Sequence, residues 1–233
     1  MKYESSFKSE ADNLEISIMA VIPDKKPYRA VVQLVHGMSE HKERYLPFMQ
    51  YLAKSGYVTV IHDHRGHGKS VKYQDDLGFT YGGGAQAMLQ DIRTVNRKIH
   101  AYYPELPLIL MGHSMGSLAV RAFVAEHDSC ADMLIVCGSP SYNTAMPLGV
   151  AIAKTEKAVF GPRHRSKLIE TMSFGAGAMK FRKDKRCTAW ICSNPDVAKE
   201  YEESELCGFT FTDDAYLALF ELMKRAYDVE HFS

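Results

Sequence analysis

The most constraining feature of this 233-residue chain is the alternation of continuous apolar runs with helical patterns. The runs are rich in β-branched residues and end in loops that contain glycine, as strands buried on both faces of a sheet do. Strands that alternate with helices predict a parallel sheet joined by right-handed crossovers. The four runs are AVVQLVHG (30–37), YVTVIHDHRG (57–66), LPLILMGHS (106–114) and ADMLIVCGSP (131–140).

Amphipathic patterns between these runs predict the helices. The segment 42–55 is followed by Gly56, a residue that suits the position after a helix C-terminus. The segment 82–103 places apolar residues at intervals of three and four, and Pro104 follows it. Further helices are predicted over 115–128 and 213–228. The predicted fold class is therefore α/β, a doubly wound and mostly parallel sheet.

Three regions follow one another along the chain. Residues 1–140 form the predicted α/β core. They open with LEISIMAVIP (14–23), a half-buried strand that we expect to pair antiparallel with YESSF (3–7). Residues 141–207 show no clear strand pattern and are predicted to be a helical lid, inserted over the carboxyl edge of the sheet. Residues 208–233 are predicted to be a return helix of the core, with acidic residues at its start.

Composition argues against several classes of function. Lysine plus arginine equals aspartate plus glutamate at 28 each, so no charge excess favours a nucleic-acid partner. The first residues show no secretory signal, and no apolar run reaches the length of a membrane span. The five cysteines lack the paired C-x-x-C spacing of a zinc site, so we expect free thiols in a cytoplasmic protein. The sequence predicts no metal and no cofactor.

The third apolar run ends in the pattern G-x-S-x-G, formed by Gly112, His113, Ser114, Met115 and Gly116. The pattern follows a buried strand and opens a helix, which is the setting of a nucleophile elbow. Glycines permit close approach of strand and helix, and the helix N-terminus offers N–H groups to a developing oxyanion. The alternative is a tight strand-to-helix turn without chemistry.

A second motif, His36-Gly37-Met38, ends the first apolar run. In α/β-hydrolases, the oxyanion hole takes one N–H from the residue after the nucleophile and another from the loop after the third strand. The corresponding residues here are Met115 and Met38. Two motifs in the right order on the right elements indicate acyl transfer through a serine ester.

On these residues the sequence resembles the α/β-hydrolase family. Within that family it is similar to the lysophospholipase and monoacylglycerol-lipase-like group of serine aminopeptidase-type hydrolases. The resemblance covers nearly the whole chain. The segments that carry it are VHGMSEHKERY (35–45), DHRGHGKS (63–70), GHSMGS (112–117) and CGFTFT (207–212).

The resemblance implies a serine hydrolase that acts on carboxylic esters of lipid type, lysophospholipids or monoacylglycerols, through an acyl-enzyme on Ser114. It implies that Met38 and Met115 supply oxyanion N–H groups and that residues 141–207 shape an acyl pocket. The dehalogenase and epoxide-hydrolase branches carry aspartate at the nucleophile position, so Ser114 argues against them. The supporting motif residues are His36, Gly37, Gly112, His113 and Gly116.

The acid and the histidine of this family's triad lie after later strands, and by this comparison the sheet lacks its last two strands. A serine without its histidine is a poor nucleophile, so we expect weak or absent turnover by this chain alone. A truncated product and completion by another subunit both stay open. No histidine is assigned as the base: His127 ends a helix, His164 lies in a basic stretch, His231 lies near the terminus, and His62, His64 and His67 are interpreted as structural.

Two surfaces stay open as possible partner contacts. The stretch 154–186 is rich in lysine and arginine, and it is either a solvated surface or a contact for a lipid headgroup or membrane surface. The open sheet edge is either exposed or paired with a second subunit. Two competing functions also stay open. One is a catalytically inactive binding protein on a hydrolase fold, and the other is an acyltransferase or peptidase with the same nucleophile.

Overall fold

The computed structural model describes residues 1–180 and 191–228, and one six-stranded sheet lies within them. The strands lie in the order β1-β2-β4-β3-β5-β6. β2 pairs antiparallel with both β1 and β4, whereas the other neighbouring strands are parallel. This topology confirms the α/β class and the antiparallel start. The strands are β1 (Lys2–Lys8), β2 (Glu15–Val21), β3 (Val31–Val35), β4 (Val58–His62), β5 (Leu108–His113) and β6 (Met133–Cys137).

The helices that the sequence predicts between the strands and at residues 213–228 all form. Gly56 follows the first of them by two residues with a φ of +88°, a left-handed conformation that glycine adopts without steric cost. Three more helices lie between β6 and the last helix. The helices are α1 (Leu46–Lys54), α2 (Gly84–Tyr102), α3 (Met115–Glu126), α4 (Met146–Phe160), α5 (Lys167–Lys180), α6 (Pro195–Glu203) and α7 (Asp213–Ala226).

Helices cover both faces of the sheet, which confirms the doubly wound arrangement. On one face, residues of α2, α3 and α7 form a single buried cluster with Val35 and Leu110 of the strands. On the other face, Met49 of α1 packs with Leu34 and Ile61. Burying a side chain of this size stabilises the fold by about 1.5–3 kcal/mol. The two clusters fix β3 and β5, whose carboxyl ends carry the candidate site.

The strand β6 departs from the sequence-based expectation. Its run of apolar residues predicts burial on both faces, but Met133, Ile135 and Val136 are 55%, 38% and 42% exposed. Within the described residues β6 pairs only with β5. The prediction of burial is therefore wrong for this strand, because its exposure depends on spatial neighbours and not on its own composition.

The described part of the segment 141–207 contains the helices α4, α5 and α6, joined by loops, and no strand. The helix α4 lies close to α7, since a Cβ added at Gly149 would meet the ring of Phe220 at 2.8 Å. At the other end of the segment, the Tyr201 hydroxyl of α6 donates to the carbonyl oxygen of Ser39, 2.9 Å away in the loop after β3. The boundaries at 140 and 207 and the lid role stay predictions.

No helix in the described part of the chain is both long enough and apolar enough to cross a membrane. Cys130, Cys137, Cys192 and Cys207 are free thiols, as the sequence predicts, whereas Cys187 lies outside the described residues.

Candidate active site

Ser114 occupies the sharp turn between β5 and α3 with φ +52° and ψ −119°. A non-glycine residue in this region of backbone space carries about 1–3 kcal/mol of strain, which the surroundings must offset. Two hydrogen bonds hold the turn: the Ser114 N–H donates to the carbonyl oxygen of Cys137 at 3.0 Å, and the Ser114 carbonyl accepts from the Ser117 N–H at 2.9 Å. The half-buried Ser114 side chain is thus presented at the carboxyl end of the sheet.

The two glycines of the motif are required by close packing of backbone on backbone. A Cβ at Gly112 would lie 2.3 Å from the carbonyl oxygen of Gly116. A Cβ at Gly116 would lie 2.1 Å from the carbonyl oxygen of Val35 in β3. Neither contact can be relieved by turning a side chain. The first turn of α3 therefore packs directly against β3 and β5, and this packing fixes the position of Ser114.

The loop after β3 lies beside Ser114, as the second motif predicts. A Cβ at Gly37 would lie 3.2 Å from the Cβ of Ser114. The N–H groups of Met38 and Met115 make no hydrogen bond within residues 1–180 and 191–228. Met115 is the first residue of α3, so its N–H is one of the unpaired donors of the helix start. The residue after Ser114 and the residue after Gly37 thus each carry an N–H group without a hydrogen bond in the described part of the chain.

Glu40 is a site residue that sequence reasoning missed. Its carboxylate accepts from the Gly37 N–H at 2.6 Å, from the Tyr45 hydroxyl at 2.8 Å and from Arg44 Nε at 3.2 Å. The imidazole of His113 lies 3.5 Å away. Burial raises the pKa of Glu40, but His113 and the hydrogen bonds from the Gly37 N–H and the Tyr45 hydroxyl outweigh it and lower the pKa to about 2. Glu40 therefore stays ionised and links the loop after β3 to the elbow.

The buried His36 side chain holds the same loop through hydrogen bonds. Its Nε2 accepts from the backbone N–H of His64 at 3.0 Å, which leaves Nδ1 to donate to the carbonyl oxygen of Gly37 at 2.8 Å. In return, His64 Nε2 donates to the carbonyl oxygen of His36 at 3.1 Å. Burial lowers the pKa of both imidazoles, so both are neutral. They are hydrogen-bonded structural groups, and this agrees with the interpretation of His64.

The two other histidines of this cluster are equally buried. Burial lowers the pKa of His62 and of His67 to about 3. His67 Nε2 accepts from the Ser39 N–H at 3.2 Å, whereas neither ring nitrogen of His62 has a hydrogen-bond partner within the described residues. The loops after β3 and β4 are thus locked to each other through neutral imidazoles.

Among the described candidates, neither His127 nor His164 makes a hydrogen bond to Ser114. His127 follows the last residue of α3, about 18 Å from the helix start, and its ring packs on Phe123. His164 Nδ1 lies 2.9 Å from Asp213 Oδ2. His231 lies outside the described residues. Within those residues, no hydrogen bond joins Ser114 Oγ to another group.

Two arginines of the basic stretch 154–186 have partners elsewhere in the described residues, and residues 181–186 of the stretch lie outside them. Arg163 forms an ion pair with Asp76, and Arg165 donates to the carbonyl oxygens of Thr210 and Leu77. Contact with a lipid headgroup through residues 154–186 stays a prediction.

Comparison with known proteins identifies the family of the chain. Residues 26–231 match the family model described as serine aminopeptidase, S33. A monoacylglycerol lipase of Mycolicibacterium smegmatis is 34% identical over 135 residues, which is 57% of this chain and 46% of that protein. A monoglyceride lipase of Rattus norvegicus is 34% identical over 113 residues, which is 46% of this chain and 34% of that protein. The chain thus spans at most about half the length of these curated relatives.

A solved structure shows the same fold. The carboxyl esterase of Bacillus coagulans, solved in complex with glycerol, superposes with a TM-score of 0.87 at 26% identity. The alignment covers 96% of this chain and 72% of that one.

Proposed function

Because the chain belongs to the serine aminopeptidase S33 family, we propose that it acts as a serine hydrolase on carboxylic esters of lipid type, with Ser114 as the nucleophile. The observation that carries the proposal is the strained, half-buried Ser114 at the strand-to-helix turn, with Gly37 of the loop after β3 packed against it. We also propose that turnover by this chain alone is weak or absent, as the sequence predicts.

The proposed reaction uses an acyl-enzyme. Ser114 Oγ attacks the ester carbonyl carbon while a base removes the hydroxyl proton, and the carbonyl oxygen becomes an oxyanion. The N–H groups of Met38 and Met115, together with the positive end of the α3 dipole, stabilise this charge. The alcohol leaves with a proton, and water then attacks the acyl-enzyme to release the carboxylic acid and regenerate Ser114. Removing one such N–H donor typically costs about 10²–10³ in kcat.

Monoacylglycerols and lysophospholipids are the proposed substrate class. The names of the mycobacterial and rat relatives support the first of these. Both molecules present one long acyl chain on a polar alcohol, so one apolar channel and one polar exit suffice for either.

A second candidate is a protein that binds such esters without turnover. It is favoured by one observation: Ser114 Oγ contacts no general base within residues 1–180 and 191–228. Loss of triad members leaves only about 10³–10⁴-fold acceleration over water, from the oxyanion hole and binding.

Pairing of β6 with a second copy, which would complete the sheet edge, also stays a prediction.

The test is labelling of the purified chain by a fluorophosphonate probe, followed by peptide mapping. The proposal expects the label on Ser114, with none on the Ser114→Ala variant and full labelling of the matched exposed control Ser129→Ala. Hydrolysis of a monoacylglycerol, a lysophosphatidylcholine and an aminoacyl anilide is then compared. Labelling with slow ester hydrolysis supports the impaired hydrolase, whereas ester binding without labelling supports the second candidate. An unlabelled, folded chain that binds no ester contradicts both.

A further inference from the structure

Away from the elbow, three residues from separate segments converge between the predicted lid and the last helix. Glu156 lies on α4, His164 lies in the loop after α4, and Asp213 is the first residue of α7. Each offers one ligand atom of the kind that metal ions bind, and these three atoms lie within 4.8 Å of one another. We name these three residues the lid-base cluster.

The distances in the lid-base cluster suit a small divalent ion. His164 Nδ1 lies 2.9 Å from Asp213 Oδ2 and 4.0 Å from Glu156 Oε2. A tetrahedral Zn²⁺ with bonds of about 2.0–2.2 Å sets its ligand atoms roughly 3.3–3.6 Å apart. The two observed distances bracket that value, so small side-chain adjustments suffice for all three atoms to reach one ion.

Two carboxylate oxygens of the cluster have no partner. Glu156 Oε2 and Asp213 Oδ1 are both buried, and neither has a hydrogen bond within the described residues. The Asp213 side chain is 0% exposed. A buried anionic oxygen without a donor is unfavourable, because its desolvation is not repaid. The nearest lysine in sequence, Lys157, is bound to Asp214 Oδ1 at 2.6 Å instead.

The backbone already places the imidazole for ligation. The Asp213 N–H donates to the carbonyl oxygen of His164 at 2.8 Å, so the loop and the start of α7 are tied together. The ring of Phe160 lies 4.8 Å from that of His164, which restricts its orientation. Binding of an ion therefore requires little further ordering of the His164 side chain and its loop.

We propose that Glu156, His164 and Asp213 bind a Zn²⁺ ion, with water at the fourth position. One imidazole and two carboxylates are within the ligand set of zinc, and their combined charge of −2 matches the ion when the imidazole is neutral. His164 binds through Nδ1 as the neutral tautomer that carries its proton on Nε2, so the ion takes the place of the hydrogen bond between Nδ1 and Asp213 Oδ2. The effect of the ion is structural, because it links α4 and the following loop to α7 at the base of the predicted lid.

The test is calorimetric titration of the purified, metal-free chain with Zn²⁺. Glu156→Gln preserves the shape of a partly exposed side chain and removes its charge, whereas His164→Gln removes a partly exposed imidazole. His100→Gln makes the same histidine-to-glutamine change on the exposed side of α2 and is the matched control. Zinc bound by cysteine thiols contributes equally to all four proteins. We expect the wild type and His100→Gln to bind one more equivalent than Glu156→Gln and His164→Gln, or to bind it at least about tenfold more tightly.

Thermal unfolding provides a second readout that does not depend on activity. At free Zn²⁺ of 100 times the Kd, the midpoint of the wild type is expected to rise by about 5–10 °C relative to the metal-free chain, and the two cluster variants lack this rise. The proposal is overturned if all four proteins bind Zn²⁺ with the same stoichiometry and affinity. It is also overturned if His100→Gln reduces Zn²⁺ binding as much as His164→Gln does.

Discussion

Replacing Glu40 with glutamine tests how the loop after β3 is held beside Ser114. The substitution preserves the shape of the side chain but removes its charge, on which Gly37, Tyr45 and Arg44 converge. The pKa of Glu40 falls from its ordinary 4.5 to about 2 in the folded chain. At about 1.36 kcal/mol per pKa unit, this corresponds to roughly 3 kcal/mol of stability from the ionised carboxylate.

The pH dependence follows from the direction of that shift. A carboxyl group whose folded pKa is lowered contributes its stability fully above the unfolded pKa and loses it as the pH falls through the folded pKa. For Glu40 this window runs from about pH 5 down to about pH 2. At pH 3, roughly 2 kcal/mol of the contribution is already lost.

Urea unfolding at pH 7 and at pH 3 measures the effect. Wild type should exceed Glu40→Gln in unfolding free energy at pH 7, and the difference between them should shrink by about 2 kcal/mol at pH 3. The exposed Glu203→Gln on α6 serves as the matched control and should match wild type at both values of pH. A difference between wild type and Glu40→Gln that does not change with pH would refute this account of the loop.

Three further outcomes follow from the packing and the burial. Gly116→Ala should lower the free energy of unfolding by urea by about 3 kcal/mol or more, because the added Cβ meets the Val35 carbonyl. Gly82→Ala has open space around the added Cβ and should cost only about 1 kcal/mol of backbone strain. In the same assay, Leu110→Ala in buried β5 should cost about 2–5 kcal/mol and Val136→Ala in exposed β6 less than about 1 kcal/mol; equal costs would contradict the exposed edge. The His67 ring, whose pKa burial lowers to about 3, should show no NMR titration between pH 5 and 8 in the folded chain, and a midpoint in that range would contradict its neutral structural role.

Local periodicity was sufficient to predict α1, α2, α3, α7 and the inner strands, because each pattern records which faces of an element are buried. It failed at β6, whose composition matches that of β5 although Met133 and Val136 are largely exposed. Exposure of an edge strand depends on which elements lie beside it in space, and a local pattern does not contain that information.

The candidate site divides in the same way. Ser114 and Gly37 were predictable because a backbone turn or a close approach restricts the residue types at a short spacing. Glu40 was not predictable, because its importance depends on burial and on contact with His113, which is distant in sequence. The only local signal was an acidic residue three positions after Gly37. His164 and Asp213 meet through tertiary packing alone, so no motif marks the lid-base cluster.

Trapping of the covalent intermediate tests the central claim most directly. The purified chain is mixed with a monoacylglycerol, quenched in acid after increasing times and digested for mass spectrometry. The account predicts that the peptide containing Ser114 gains the mass of the acyl group, and that the gain is absent in Ser114→Ala. An acylated site elsewhere, or ester hydrolysis that survives in Ser114→Ala at the wild-type rate, would contradict it.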